Sequence, residues 1–215
     1  MSWKSYLFPQ TILITSSPHN YHIRVNEEQG KMKLLVNRSP QSGAYIENLW
    51  KHACKHFSIQ TQQPTNALVL GVGGGTVISL LSGYFPKIKQ TCVDIDKAII
   101  DIAQKYFNIR SDRYIHIVQA DAKLYVKKLL GQNRTFDCII VDLSVGPHIP
   151  SFIEQKQFIV QLKKLLSPKG FLCINYLREK EYKMKSDHLF VTLTSLFSTV
   201  KDYGIALNRF FFVQC

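Results

Sequence analysis

The 215-residue sequence has no CxxC pair among its five cysteines, no apolar run approaching the length of a membrane span, and little acid to balance its base. Each shortage removes a class of protein. Cys54, Cys92, Cys138, Cys173 and Cys215 stand far apart, and several fall in strand-like apolar runs where a thiol behaves as a small hydrophobe. Neither a disulfide framework nor a zinc ribbon is therefore expected. His52 and His56 bracket Cys54 on a helical stretch, but no third ligand accompanies them, so the pair reads as a solvated helix face and no metal site is expected. Without a span of about 20 apolar residues, and with no signal-peptide pattern in Met1–Gln10, the expectation is a cytoplasmic protein without a membrane partner. Zinc-finger spacing, RNA-reading aromatic motifs, repeats and low-complexity tracts are all missing.

What is present suits one globular domain with a small appendage: 46% of the residues are hydrophobic and 20% are charged, enough apolar content for a core. Lys and Arg number 27 against 15 Asp and Glu, a formal net charge of +12. The excess is spread along the chain instead of being gathered in a tail. A solvated basic surface is the plainer reading, and an acidic protein or nucleic acid stays open as a partner.

Hydrophobic periodicity divides the chain near residue 60. Up to that point, short β-branched runs at Thr11–Ser16, Tyr21–Val25 and Lys33–Val36 predict a small β unit, and Tyr45–Phe57 a linking helix with Ile46, Leu49, Trp50 and Ala53 as its apolar stripe. This unit is too small to bury a core alone, so it packs on the remainder of the chain or on a second copy, and a homodimer is one expectation. Residues 61–215 then alternate strand and helix. Strands are expected at Ala67–Leu70, Lys89–Val93, Tyr114–Val118, Phe136–Val141, Phe171–Tyr176, Thr199–Lys201 and Phe210–Val213. Helices are expected at Val77–Leu81, Lys97–Tyr106, Ala122–Leu130, Phe152–Leu166 and Asp187–Leu196. Nearly continuous apolar strands between helices predict an α/β protein with a mostly parallel sheet covered on both faces.

Ligands of such sheets bind at the carboxyl ends of the strands. Gly71, Gly73, Gly74 and Gly75 follow the first of them, where a chain free of Cβ atoms can turn sharply and approach a ligand. Asp94 and Asp121 end the next two strands. Asp94 suits a ribose's two hydroxyls and Asp121 the amino edge of adenine, although each also reads as a helix N-cap. Asp94 lies 23 positions after Gly71, close to the spacing of a nicotinamide dinucleotide site. Thr76, however, stands where that fingerprint uses a third glycine, and Asp121 has no part in it.

The sequence reads GVGGGT at Gly71–Thr76, VDID at Val93–Asp96, DA at Asp121–Ala122 and DLSVGP at Asp142–Pro147. Upstream stand KLLVN at Lys33–Asn37, Gln41, and YIENL at Tyr45–Leu49. These motifs resemble the class I S-adenosylmethionine-dependent methyltransferase fold, and most closely its spermidine-synthase-like branch. The resemblance implies a Rossmann-like methyltransferase fold with a small N-terminal β unit, and S-adenosylmethionine or decarboxylated S-adenosylmethionine as cofactor. It further implies cofactor contacts at Gly71, Gly73, Gly74, Gly75, Asp94 and Asp121, a catalytic Asp142, and acceptor contacts at Tyr45 and Ser144. His148 stands nearby in an exposed-loop position. Three positions depart from the polyamine pattern: Gly74 and Val145 replace aspartates, and Ile46 replaces a histidine. Methyl transfer to a small acceptor is the leading expectation. Aminopropyl transfer in polyamine biosynthesis and ligand binding without catalysis are the alternatives, and the acceptor stays open.

Overall fold

The structure, a computed structural model, describes residues 3–214; Met1, Ser2 and Cys215 lie outside the described residues. Four antiparallel strands, β1 (Gln10–Thr15), β2 (Ile23–Glu28), β3 (Lys31–Val36) and β4 (Ser39–Pro40), form the N-terminal sheet in chain order. Gln29 and Gly30, both with positive φ, close β2 onto β3. Asn37 and Arg38 repeat the device between β3 and β4. Two consecutive residues at positive φ match the right-handed twist of the strands they join, which is why such short turns suffice. β4 lies outside the sequence expectation, because two residues containing a proline carry no strand periodicity. Alternation places Ile23 and Val25 opposite Val36 and Leu34, giving this sheet one apolar face.

The larger sheet contains β5 (Asn66–Leu70), β6 (Lys89–Asp94), β7 (Ile115–Gln119), β8 (Phe136–Val141), β9 (Leu166–Leu177), β10 (Thr199–Ile205) and β11 (Asn208–Gln214), in the order β10-β11-β9-β8-β5-β6-β7. The run from β9 to β7 is parallel, and β11 is antiparallel to both its neighbours. Helices α1 (Ala44–His56), α2 (Thr76–Tyr84), α3 (Lys97–Tyr106), α4 (Ala122–Gly131), α5 (Lys156–Leu165) and α6 (Tyr182–Leu196) cover it. Successive residues of the central strands serve opposite faces. Leu68, Leu70, Ile139 and Val141 pack with α4, α5 and α6, while Ala67, Val69, Cys138 and Ile140 pack with α1 and α2. Two layers of helix therefore bury a sheet whose strands read as unbroken apolar runs, and this is the Rossmann-like methyltransferase architecture.

Several boundaries differ from the periodicity. The helix expected at Phe152–Leu166 is broken into a 3₁₀ turn at Ser151–Glu154 and α5. Ser167–Gly170 lies within β9 instead of forming a separate turn: Leu166 pairs with Phe136, the register shifts, and Phe171 pairs with Cys138. Gly170 is required at that shift because a Cβ there would come within 2.9 Å of the Phe136 carbonyl oxygen. No helix among the described residues is long and apolar enough to cross a membrane.

Helix α3 joins the two sheets. Its Ile99 and Ile102 pack into the apolar face made by Ile23, Val25, Leu34 and Val36. At its start, buried Asp96 accepts a hydrogen bond from the Ala98 N–H through Oδ1, the N-cap contact. Through Oδ2 it accepts from the Ser17 hydroxyl and from Asn20 Nδ2 at 2.7 Å, both in the β1–β2 turn. One carboxylate thus starts a helix of the large sheet and anchors the small one. Helix α1 packs into the large core: Trp50 is buried and meets Phe210 edge to face, with ring centroids 4.9 Å apart. Asp96→Ala removes the cap and leaves the buried Asn20 amide and the half-buried Ser17 hydroxyl without this acceptor, so urea denaturation should show a loss of about 3 kcal/mol. A loss below about 1 kcal/mol would mean that the carboxylate does not hold the two units together.

Candidate functional site

The expected glycines, aspartates and Ser144 follow the carboxyl ends of parallel strands, and Tyr45 stands in the first turn of α1. Gly71 leaves β5 with φ +99, and a Cβ there would lie 2.0 Å from the Asp142 carbonyl oxygen. Glycine is therefore demanded by the close passage of two strand ends as well as by the turn. Asp94, at the end of β6, accepts from the Val72 N–H through Oδ2 and from the Asp96 N–H through Oδ1, each at 2.9 Å. Burial pushes this carboxyl above its ordinary value, and those backbone donors pull against the shift. Asp121 caps α4 by accepting from the Leu124 N–H at 2.8 Å. The cap and ligand readings coexist here, since a carboxylate oxygen that accepts one bond retains a lone pair for another.

Gly71, Gly73, Asp94, Asp121 and Asp142 line one cavity of about 240 Å³, with His19 and Asn20 of the β1–β2 turn also in its wall. Gly74 and Gly75 are not in that wall. A Cβ on Gly74 would lie 2.4 Å from the Cβ and Oγ of buried Ser42, and one on Gly75 would lie 2.1 Å from Ile109. These two glycines let the loop pack against its support and do not face the cavity.

A second cavity, of about 140 Å³, adjoins the first, and Asp142, Leu143, Ser144 and Gln41 belong to both walls. Asp142 Oδ2 accepts from Trp50 Nε1 at 3.0 Å, and Oδ1 from Asn175 Nδ2 at 2.8 Å. Burial raises its carboxyl, and these two donors oppose the rise. The Ser144 hydroxyl donates to Gln41 Oε1 at 2.7 Å, while Gln41 Nε2 donates to the Gly146 carbonyl at 3.1 Å, tying the β8–α5 loop to the N-terminal unit. Tyr45 and Ile46 line this second cavity together with Asn175 and Asn208. Val145 pairs with His148 in a tight turn, and His148 lies outside both walls. His52 and His56 are taken up by contacts away from the site: His52 Nδ1 lies 2.8 Å from the Asn48 carbonyl, and His56 stacks on Tyr203.

Despite the charge of +12, neither cavity wall contains a Lys or Arg, whereas Asp94, Asp96, Asp121 and Asp142 all line the first. The site is acidic inside a basic protein. Periodicity alone does not identify Trp50, Asn175, Asn208 or Asp96 as contributors. Asn175 offers a signal nonetheless, as a lone amide in the otherwise apolar run Phe171–Tyr176.

A glycine turn followed by aspartates at the ends of adjacent parallel strands occupies the edge at which ligands of such sheets bind. The spermine/spermidine synthase domain model matches residues 47–207, and the chain belongs to that family. It is 30% identical over 144 residues to the polyamine aminopropyltransferase of Vibrio vulnificus strain CMCP6, a match covering 66% of this chain and 47% of that protein. The matched stretch is thus about half the length of that relative. Human methyltransferase-like protein 13, solved in complex with SAH, aligns with a TM-score of 0.63 at 25% identity, covering 70% of this chain and 72% of that one. The spermidine synthase of Thermotoga maritima aligns with a TM-score of 0.75 at 18% identity, covering 95% and 72%, a likeness of fold.

The packing behind Gly74 generates a prediction about the family's aspartate. Gly74→Asp alone should destabilise the protein by about 2 kcal/mol in urea denaturation, because the new Cβ collides with Ser42. Adding Ser42→Gly should recover at least half of that loss. Equal stability of Gly74→Asp and wild type would show that the loop moves freely away from Ser42.

Proposed function

We propose that the chain binds S-adenosylmethionine in the first cavity and is a methyltransferase whose acceptor enters through the second. The observation that carries this reading is the placement of Asp142 in the wall shared by the two cavities. When bound, S-adenosylmethionine supplies an electrophilic methyl group on a sulfonium cation. The residues present fit such a ligand. Gly71 and Gly73 allow the backbone to approach its tail, Asp94 accepts from the ribose hydroxyls, and Asp121 accepts from the adenine amino group. Four aspartates and no lysine or arginine in the wall suit a cation. Asp142 orients the acceptor nucleophile and takes its proton, while Tyr45 and Ser144 contribute to the acceptor side. SAH is the demethylated counterpart of this cofactor, and its presence in the human relative's structure supports the same assignment here. A cytoplasmic location is part of the proposal.

Aminopropyl transfer from decarboxylated S-adenosylmethionine is the second reading, favoured by the family and by the acidity of the walls. Against it stand Val145 and Gly74, which deprive a polyamine of two carboxylates, and Ser42, which fills the space an aspartate at position 74 would take. Methyl transfer needs neither carboxylate.

Calorimetric titration with S-adenosylmethionine, its decarboxylated form, methylthioadenosine and NAD tests the proposal. S-adenosylmethionine should bind, and Asp94→Ala should weaken it about 10- to 100-fold through loss of charge-assisted hydrogen bonds. Binding of NAD alone would overturn the assignment, and turnover of putrescine with the decarboxylated form would favour the second reading. The same titration should depend on pH. A carboxyl held above its unfolded value adds stability below about pH 4 that is lost as pH rises through the native value. Ligand binding has the opposite sign, because ribose hydroxyls donate to the ionised form. Affinity should therefore be greatest where Asp94 is ionised and fall, by up to about tenfold per unit, as the solution is acidified through its raised value.

A further inference from the structure

Asp142 is the end of a row of three polar residues laid across neighbouring strands. Val141, the last residue of β8, pairs with Ile174 of β9, so Asp142 and Asn175 lie side by side just beyond that pair. Asn208 opens β11 opposite Leu177, which puts it diagonally next to Asn175 on the same face of the sheet. The side chains follow this placement. Asn208 Nδ2 donates to Asn175 Oδ1 at 2.9 Å, and Asn175 Nδ2 donates to Asp142 Oδ1 at 2.8 Å.

With Asp142 ionised, chemistry allows this chain to run in one direction only. An ionised carboxylate accepts and never donates, so Asn175 must turn its NH₂ toward Asp142 and its carbonyl toward Asn208. On the other oxygen, Trp50 offers an indole N–H, which also can only donate. Among the described residues, Asp142 is therefore approached by two donors and no acceptor. A proton placed along either bond would meet another N–H.

We propose that Asn175, oriented by Asn208, is a positioning residue that commits Asp142 to accepting a proton or N–H from the acceptor instead of donating one. This rests on the reading that the acceptor meets Asp142 from the second cavity. Asn175 touches the acceptor only through its neighbour's carboxylate in this role. It keeps one oxygen of Asp142 occupied, and it offsets the burial that favours the neutral acid.

Other titratable groups surround Asp142. His19, Asp94, Asp96 and Asp121 share the first cavity with it, Tyr45 and Tyr176 share the second, and Cys173 lies two residues before Asn175 in β9. Only His19 among them can carry positive charge. The amides of Asn175 and the indole of Trp50 are thus the groups that hold the charge of Asp142.

Carbon-13 NMR of protein labelled at the aspartate carboxyl carbon tests the inference, with the Asp142 signal assigned by its loss in Asp142→Asn. In Asn175→Leu the Asp142 midpoint should rise by about one pH unit, the worth of one hydrogen bond to a charged group. In Asn208→Ala, which frees the Asn175 amide to turn, it should rise by a smaller amount while a thermal melt stays near wild type. The Asp121 midpoint, on the far side of the first cavity, should not move in either variant. An unmoved Asp142 midpoint in the variants that fold would overturn the proposal, and so would equal shifts of Asp121 and Asp142, the mark of general loosening. Asn208→Ala carries the test by itself if Asn175→Leu fails to fold. The measurement needs neither cofactor nor acceptor. A negative S-adenosylmethionine titration would therefore defeat the functional reading without deciding this one.

Discussion

At Gly71 the end of β5 passes so near the Asp142 carbonyl that a single added carbon would sit 2.0 Å from the oxygen. That contact makes one wall out of two strand ends. On one side lie the glycine turn and Asp94, and on the other the side chain of Asp142 reaches the second cavity. Asp142, Leu143, Ser144 and Gln41 stand in both cavity walls, so the spacing of β5 and β8 fixes how the two cavities meet. Group transfer depends on holding two reactants at contact distance. The spacing of the two cavities is set by backbone atoms in the middle of a parallel sheet, among the least deformable parts of a protein.

The N-terminal unit is part of the same construction. It brings His19 and Asn20 into the wall of the first cavity, and Gln41 couples it to the loop after β8. Asp96 holds the other end by serving as helix cap and as anchor for the β1–β2 turn. Asp94 and Asp96 are two residues apart and divide the labour. Both line the first cavity, but the backbone bonds of Asp94 fix the strand end, while Asp96 holds the helix start and the turn.

The fold is legible in the sequence because its central strands are apolar on both faces, a pattern that only a sheet covered by two helical layers explains. Lys97–Tyr106 and Phe136–Val141 agree with the structure to the residue, since an N-cap aspartate and a strand-ending Asp142 punctuate them. Local signals fail where tertiary contacts decide. Ser167–Pro168–Lys169–Gly170 has turn chemistry yet lies inside β9, because β8 supplies pairing on either side of the shift. At the site, the aspartates and the first glycines can be read from strand ends. The orientation of Gly74 cannot, because it depends on Ser42, 32 positions earlier and in another unit. Trp50 illustrates the same limit. Its ring belongs to the apolar stripe of α1 as expected, while its N–H reaches a carboxylate across the sheet edge.

The contrast between a basic exterior and an acidic cavity has a consequence for how a ligand arrives. Beyond about 8 Å at physiological ionic strength, fixed charges are largely screened. A cationic ligand in dilute salt therefore meets the field of the whole positive protein first and the carboxylates only at the mouth. Encounter is slowed and retention is favoured, so salt acts on the two halves of an affinity unequally. Added electrolyte speeds entry by masking the surface, while the enclosed aspartates, sheltered from mobile ions, keep their hold. Anionic molecules experience the reverse sequence, drawn to the exterior and turned away at the entrance. Depth along one path thus sorts ligands by sign of charge.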